Sequence, residues 1–137
     1  MASEVAKAYA AGIIDADGSI FIRKGGQRDF LQPAVQVIMT DADPIAFLAQ
    51  HFGSKLIVSA TKTPVRKLPL YRWLITGRKA QEFLVEILPY LTGKVAQAEL
   101  ALSFGVGISG RAVTDIEHSD RLELQEKISL LNRKVGS

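Results

Sequence analysis

The chain has 137 residues, 47% of them hydrophobic and 23% charged, with no cysteine. That length suits one domain with a sizeable core; the composition excludes disulfide scaffolds and thiolate metal centres, and no apolar run approaches the ~20 residues of a membrane span. Net charge is only +3, yet residues 19–79 carry ten Lys/Arg against Asp29, Asp41 and Asp43, between two slightly acidic flanks; the sequence thus predicts one positive face suited to a polyanion, the plain alternative being a solvated basic surface.

The start, MASEVAKAYA, lacks a signal peptide's basic region and long apolar run, so a cytoplasmic (bacterial or phage) or organellar location is expected, not secretion. Residues 3–14 are rich in alanine and predict a helix. Ala6, Ala8, Ala10, Ala11 and Gly12 are small, and Ala8 and Gly12 share one face, where another backbone can approach closely. Gly18 is the expected stop. SIFIRK then alternates as a strand, Ile20 and Ile22 one way and Ser19, Phe21 and Arg23 the other. A second strand, LQPAVQVIMT, puts Pro33, Val35, Val37 and Met39 on one face and Gln32, Ala34, Gln36, Ile38 and Thr40 on the other.

TDADP reads as a helix start with Asp43 as N-cap and Pro44 at the first helical position. Ile45, Leu48, Ala49 and Phe52 form its stripe, and Gly53 ends it. SKLIVSATK is a third strand, TPVRKLP a basic loop and LYRWLIT a fourth strand. Residues 79–88 predict a helix on the spacing of Ala80, Phe83, Leu84, Ile87 and Leu88. Further helices are expected at about 92–104 and 119–134, the last carrying Leu124, Ile128, Leu131 and Val135, with a loop at GVGISGRAVTD between them. Hairpin pairs with helices gathered on one side make an α+β sandwich. Its open sheet face would carry Ser19, Phe21, Arg23, Gln32, Gln36, Thr40, Lys55, Ser59, Thr61 and Arg72, residue types that hydrogen-bond base edges and phosphates. A plain solvated face is the competing reading.

Asp15 and Asp17 stand at the end of the first helix, where unpaired carbonyls already carry roughly half a negative charge. An Asx turn is one explanation. A calcium loop of the EF-hand type is excluded, because it would place Ile13 at its first position and Lys24 at its twelfth. A divalent site built from carboxylates and helix-end carbonyls is the other, since hard oxygens suit Mg²⁺. Gly105, Gly107 and Gly110 match a dinucleotide fingerprint but follow a helix instead of a strand, which favours a connector. His51 and His118 lack metal-ligand spacing, and Tyr71 and Trp73 read as core.

AAGIIDADG, residues 10–18, resembles the signature of the LAGLIDADG homing endonucleases, departing at Ala10, where the family has leucine, and conservatively at Ile13. LPYLTGKVAQAELAL (88–102), YRWLITGRKAQEFL (71–84) and ISLLN (128–132) resemble later segments of that family in the same order. The resemblance implies an αββαββα fold, an antiparallel sheet saddle with helices packed on one face. It implies a homodimer joined through the small residues of the first helices, here Ala8, Ala11 and Gly12, with Asp15 shaping the helix end. Asp17 would be the metal ligand, helped by the carbonyl of Ala16, with Mg²⁺ or Mn²⁺ as cofactor. Lys94 falls where the family has a lysine near the scissile phosphate, and Asp41 or Thr40 where it has a water-organising residue. Double-stranded DNA is the implied partner, with no membrane or small-molecule substrate. DNA contacts would come from Ser19, Phe21, Arg23, Lys24, Arg28, Gln32, Gln36, Thr40, Lys55, Ser59, Thr61, Lys62, Arg66, Lys67 and Arg72. The implied activity is metal-dependent cleavage of a long, (pseudo)palindromic duplex site, leaving 3′ overhangs. The alternative is a non-cleaving relative, such as an intron RNA maturase.

Overall fold

The computed structural model describes residues 3–24, 31–53, 56–59, 69–104, 123 and 125–132. In chain order these form α1 (Glu4–Asp17), β1 (Gly18–Lys24), β2 (Leu31–Met39), α2 (Ala42–Phe52), β3 (Leu56–Ser59), β4 (Leu70–Thr76), α3 (Gly77–Ile87), a 3-10 turn (Leu88–Tyr90) and α4 (Val95–Ser103). Residues 125–132 form a closing helix, α5. The predicted α+β class is the observed one.

The four strands make one antiparallel sheet in the order β1-β2-β4-β3. Residues paired across an antiparallel ladder put their side chains on the same face. Ile20 pairs with Val35 and Val35 with Ile75; Val37 pairs with Trp73. All five are buried, so this face meets the helices. The predicted alternation in SIFIRK and LQPAVQVIMT is the one the register shows. Helix α3 buries Ala80, Phe83, Leu84 and Ile87, the expected stripe. Trp73 packs edge-on against Phe83 with ring centroids 5.0 Å apart, and its Nε1 donates to the Gly53 carbonyl at 2.8 Å. Gly53, at φ +83°, lies where side chains are rarely accommodated, and it ends α2 there.

Strand β1 is an edge, and an edge exposes unpaired backbone groups. Here α5 covers it. Asn132 Nδ2 donates to the Ile20 carbonyl at 3.0 Å and Gln125 Nε2 to the Ile22 carbonyl at 3.0 Å. Two amides seven residues apart on a helix thus meet alternate carbonyls of a strand. Gln97 of α4, buried to 1% exposure, reaches Asn132 Oδ1 at 3.4 Å. Ile128 between them is fully buried.

Three predicted boundaries move, two for a tertiary reason and one for a local one. Helix α1 does not stop at residue 14 but continues through both aspartates to Asp17. Asp41, not Asp43, is the N-cap of α2; its Oδ1 accepts from the Asp43 amide at 3.1 Å, and Pro44 sits inside the first turn. Helix α4 begins at Val95, not near Thr92, because the amides of residues 92–94 are bound elsewhere. Gly105, Gly107, Gly110, His118, most of the basic loop and the ends of the last predicted helix lie outside the described residues.

Candidate metal and nucleic-acid site

The C-terminal end of α1 is tied to the start of α4 by two reciprocal sets of hydrogen bonds. The Asp15 carboxylate accepts from three consecutive amides, Thr92 at 2.8 Å, Gly93 at 3.0 Å and Lys94 at 3.1 Å. Successive amides converging on one anion make a compact positive concavity, and bonds to an ionised acceptor are about twice as strong as neutral ones. In return the Lys94 ammonium donates to three carbonyls at the α1 end, Ile14 at 2.9 Å, Asp15 at 3.2 Å and Gly18 at 2.8 Å. The Gly18 amide also closes on the Ile14 carbonyl. The helix can therefore run on to Asp17, because a cation sits on the carbonyls that would otherwise repel the acidic side chains.

Asp17 and Ala16 are left over. Both are exposed, and the Asp17 side chain has no hydrogen bond or ion pair among the described residues. One carboxylate and one carbonyl are hard oxygen donors that fit Mg²⁺ or Mn²⁺ in kind but fall short of six ligands in number. No group of three or more His, Cys, Asp or Glu converges among the described residues. A metal at Asp17 would take the rest of its ligands from beyond these described side chains, from phosphate and water among others.

Gly18 follows at a closely packed point. A methyl built on it would lie 2.7 Å from Ile14 Cα and 3.0 Å from the Ile14 carbonyl oxygen. Gly18 is the stop the sequence predicts, but its φ of −84° is open to any residue, so a missing side chain is required here by space and not by conformation.

Beyond Gly18, β1 carries Ser19, Phe21 and Arg23 onto the face away from the helices. Ser19 pairs with Gln36, Phe21 with Ala34 and Arg23 with Gln32, and Ile38 pairs with Arg72. Thr40 follows the end of β2 and is exposed, as is Asp41. Since Gly18 pairs with Val37, both leave the sheet at the end where α1 delivers Asp17. The predicted set on this face is therefore brought together for Ser19, Phe21, Arg23, Gln32, Gln36 and Arg72. Ala34 is fully buried despite its place on this face, so it has no surface to offer a base, while Ile38 is 42% exposed. Arg72, one of the predicted contacts, has its Nε buried without a hydrogen-bond partner among the described residues. Arg28, Lys55, Thr61, Lys62, Arg66 and Lys67 lie outside the described residues, as do the side chains of Lys24 and Ser59.

On the outer flank of α1, Ala8 and Gly12 are exposed, and nothing lies within 4 Å of a methyl built on Gly12. Ala11 is a correction to the expected contact stripe: it is fully buried in the chain's own core and has no surface left for a partner. Asp15 is also spoken for, its carboxylate turned to α4. Tyr9, 48% exposed, meets Phe47 edge-on at 4.7 Å, and Phe47 stacks on His51 at 4.3 Å.

What sequence reading missed here is the pairing of Asp15 with Lys94. All six atoms that the two side chains bind, three amides and three carbonyls, are backbone atoms, and backbone donors and acceptors leave no mark in a residue pattern. The amides of Gln125 and Asn132 did leave one, their seven-residue spacing on an amphipathic helix.

No family model matches the sequence, and no curated protein matches it. Solved structures do match the fold. The homing endonuclease I-CvuI, in complex with the I-CreI target in the presence of Mg, aligns with a TM-score of 0.72 and 23% identity, over 93% of this chain and 82% of that one. The same endonuclease with its own target in the presence of Ca gives 0.58 and 21%, over 96% and 80%. The archaeal intron-encoded homing endonuclease I-Vdi141I complexed with DNA gives 0.73 and 16%, over 93% and 84%. At these identities the likeness is one of fold, and that fold is the one found in LAGLIDADG homing endonucleases.

Proposed function

We propose that this chain is a site-specific DNA endonuclease that acts as a homodimer on a two-fold-symmetric duplex site. The observation that carries the reading is the position of Asp17. Its carboxylate has no partner among the described residues and has the Ala16 carbonyl beside it, at the tip of a helix that opens directly onto a polar, basic sheet face. Asp17 and Ala16 would hold a divalent ion, Mg²⁺ or Mn²⁺, with phosphate and water completing the shell. When bound, such an ion stabilises charge on the phosphate oxygens and makes a water more acidic.

The chain's own residues do the remainder. Ser19, Arg23, Gln32 and Gln36 offer the donors and acceptors that distinguish base pairs in the major groove, and Arg72 can donate to a guanine edge or a phosphate. I-CvuI is bound to its target and I-Vdi141I to DNA, which supports a nucleic-acid role for the open face. Thr40 is the better of the two candidates for orienting water, because the Asp41 carboxylate is already engaged as a helix cap. Copy number argues for a dimer: one chain supplies one Asp17, and cutting two strands calls for two. The exposed Ala8 and Gly12 leave a low surface on α1 that lets a second α1 approach closely. The I-CvuI complexes hold DNA in the presence of Mg, where it is not cleaved, and of Ca, which supports the use of a divalent ion.

The test is selection of bound duplexes from a random DNA library in Ca²⁺, then incubation of the enriched sequence with Mg²⁺. A symmetric enriched site, cut on both strands with 3′ overhangs, is the expected result. Enrichment without cutting would reduce the reading to a DNA-binding protein. No enrichment from duplex DNA, together with retention of structured RNA, would replace it with an RNA-binding role.

A further inference from the structure

We propose that Lys94 is a positioning residue and does not contact the scissile phosphate: its ammonium is the resident cation of a carbonyl cage, coupled to Asp15, that sets where Asp17 is presented. The inference rests on the endonuclease reading for what Asp17 does, but the cage itself does not.

A lysine ammonium has three protons and no acceptor. All three are directed to backbone carbonyls, those of Ile14 at 2.9 Å, Asp15 at 3.2 Å and Gly18 at 2.8 Å. Those carbonyls bracket Asp17 in sequence, two before it and one after. Reaching a phosphate would require Lys94 to release them, and the end of α1 would then carry Asp15, Asp17 and uncapped carbonyls with no compensating charge. The same residue is held by its main chain, since its amide donates to Asp15 Oδ1 at 3.1 Å. Lys94 is thus fixed at both ends to the last turn of α1. The cage works as a metal site would, oxygen ligands around a cation, except that the cation is covalently part of the chain. Asp17, outside this set, has no partner for its carboxylate among the described residues and is left to an external ion.

Two experiments without DNA test the cage. In ¹⁵N spectra of the wild-type protein, the Lys94 ammonium signal should persist at neutral pH, where solvated lysines are lost to exchange. If it is bleached like the rest, the cage is wrong. Thermal melts at fixed protein concentration then compare wild type, Lys94→Ala and Lys94→Met in methylammonium or tetramethylammonium chloride. Methylammonium brings three N–H donors, and tetramethylammonium brings the charge alone. Lys94→Ala should lose on the order of 5 °C and regain at least half of it in methylammonium only. Lys94→Met, whose side chain fills the space, should be lowered without rescue, and wild type should respond to neither salt. A Lys94→Ala protein that melts like wild type, or that responds equally to both salts, overturns the proposal; one that does not fold leaves the wild-type spectrum to decide.

The link to Asp17 is read on the selected DNA site. Lys94→Ala should need about tenfold more Mg²⁺ for half-maximal cutting, as for other residues that orient a metal ligand, with DNA affinity in Ca²⁺ unchanged and methylammonium restoring the metal requirement. Unchanged metal dependence with weakened DNA binding would place Lys94 on the DNA instead. A wild-type protein that never cuts would refute the endonuclease reading while leaving the spectrum and the melts as they stand.

Discussion

Replacing Gly18 by alanine is the most informative single-methyl change in this chain. Conformation alone predicts a gain: φ −84° and ψ 163° are comfortable for alanine, and a Gly→Ala change that fits stabilises by ~0.4–1 kcal/mol through the unfolded chain. Space predicts the opposite. The added carbon would stand 2.7 Å from Ile14 Cα, 2.9 Å from Ile14 Cδ1 and 3.0 Å from Ile14 O. The side-chain contact could be relieved by a rotamer change, but Ile14 is fully buried, and the other two contacts are backbone. The end of α1 must therefore move away from β1. Overpacking of this kind costs ~1–3 kcal/mol, so a net loss of about 1–2 kcal/mol is expected, or roughly 3–8 °C in Tm at this length. The shift also displaces the Gly18 carbonyl from Lys94, so Mg²⁺-dependent cutting should fall more than DNA affinity does. Differential scanning calorimetry at fixed protein concentration measures the first effect, and cleavage against binding of the selected site the second. A Gly18→Ala protein as stable as wild type would refute the steric account of this junction.

Asp17→Asn is expected to abolish cleavage while leaving DNA binding in Ca²⁺ and the melting temperature near wild type, because Asp17 has no intramolecular partner among the described residues; retained cutting measured on the selected duplex would end its assignment as a metal ligand. Gly12→Leu adds a side chain where nothing lies within 4 Å inside the chain, so the monomer fold should be unharmed while sedimentation shows a weakened dimer. An unchanged dimer would move the interface away from this face of α1. Asn132→Leu removes the donor to the Ile20 carbonyl and the acceptor of the buried Gln97 amide; unsatisfied buried groups cost ~1–3 kcal/mol, which should lower the urea midpoint. An unmoved midpoint would mean that α5 contributes little to the β1 edge.

The amino-acid pattern determined more of this protein than its boundaries suggest. Two-residue alternation in β1 and β2 assigned every described side chain there to its face, because in a strand the period is fixed by the backbone and burial only has to follow it. The stripe on α3 was equally legible, since four apolar residues at helical spacing have one way to be buried together. The signature at residues 10–18 pointed to the fold that the solved structures share. The sequence could not reveal which small residue of α1 faces inward: Ala8, Ala11 and Gly12 look alike until the sheet beneath the helix claims Ala11. The resemblance set Asp17 apart from Asp15, but nothing in the residues tied Asp15 to Lys94. Three charged residues at a helix end are interchangeable as composition. They separate only when α4 is brought against α1, where three amides take one carboxylate, three carbonyls take the ammonium, and Asp17 is left facing out. Those partners are backbone atoms from residues almost eighty positions apart, and only the tertiary fold can bring them within hydrogen-bond reach.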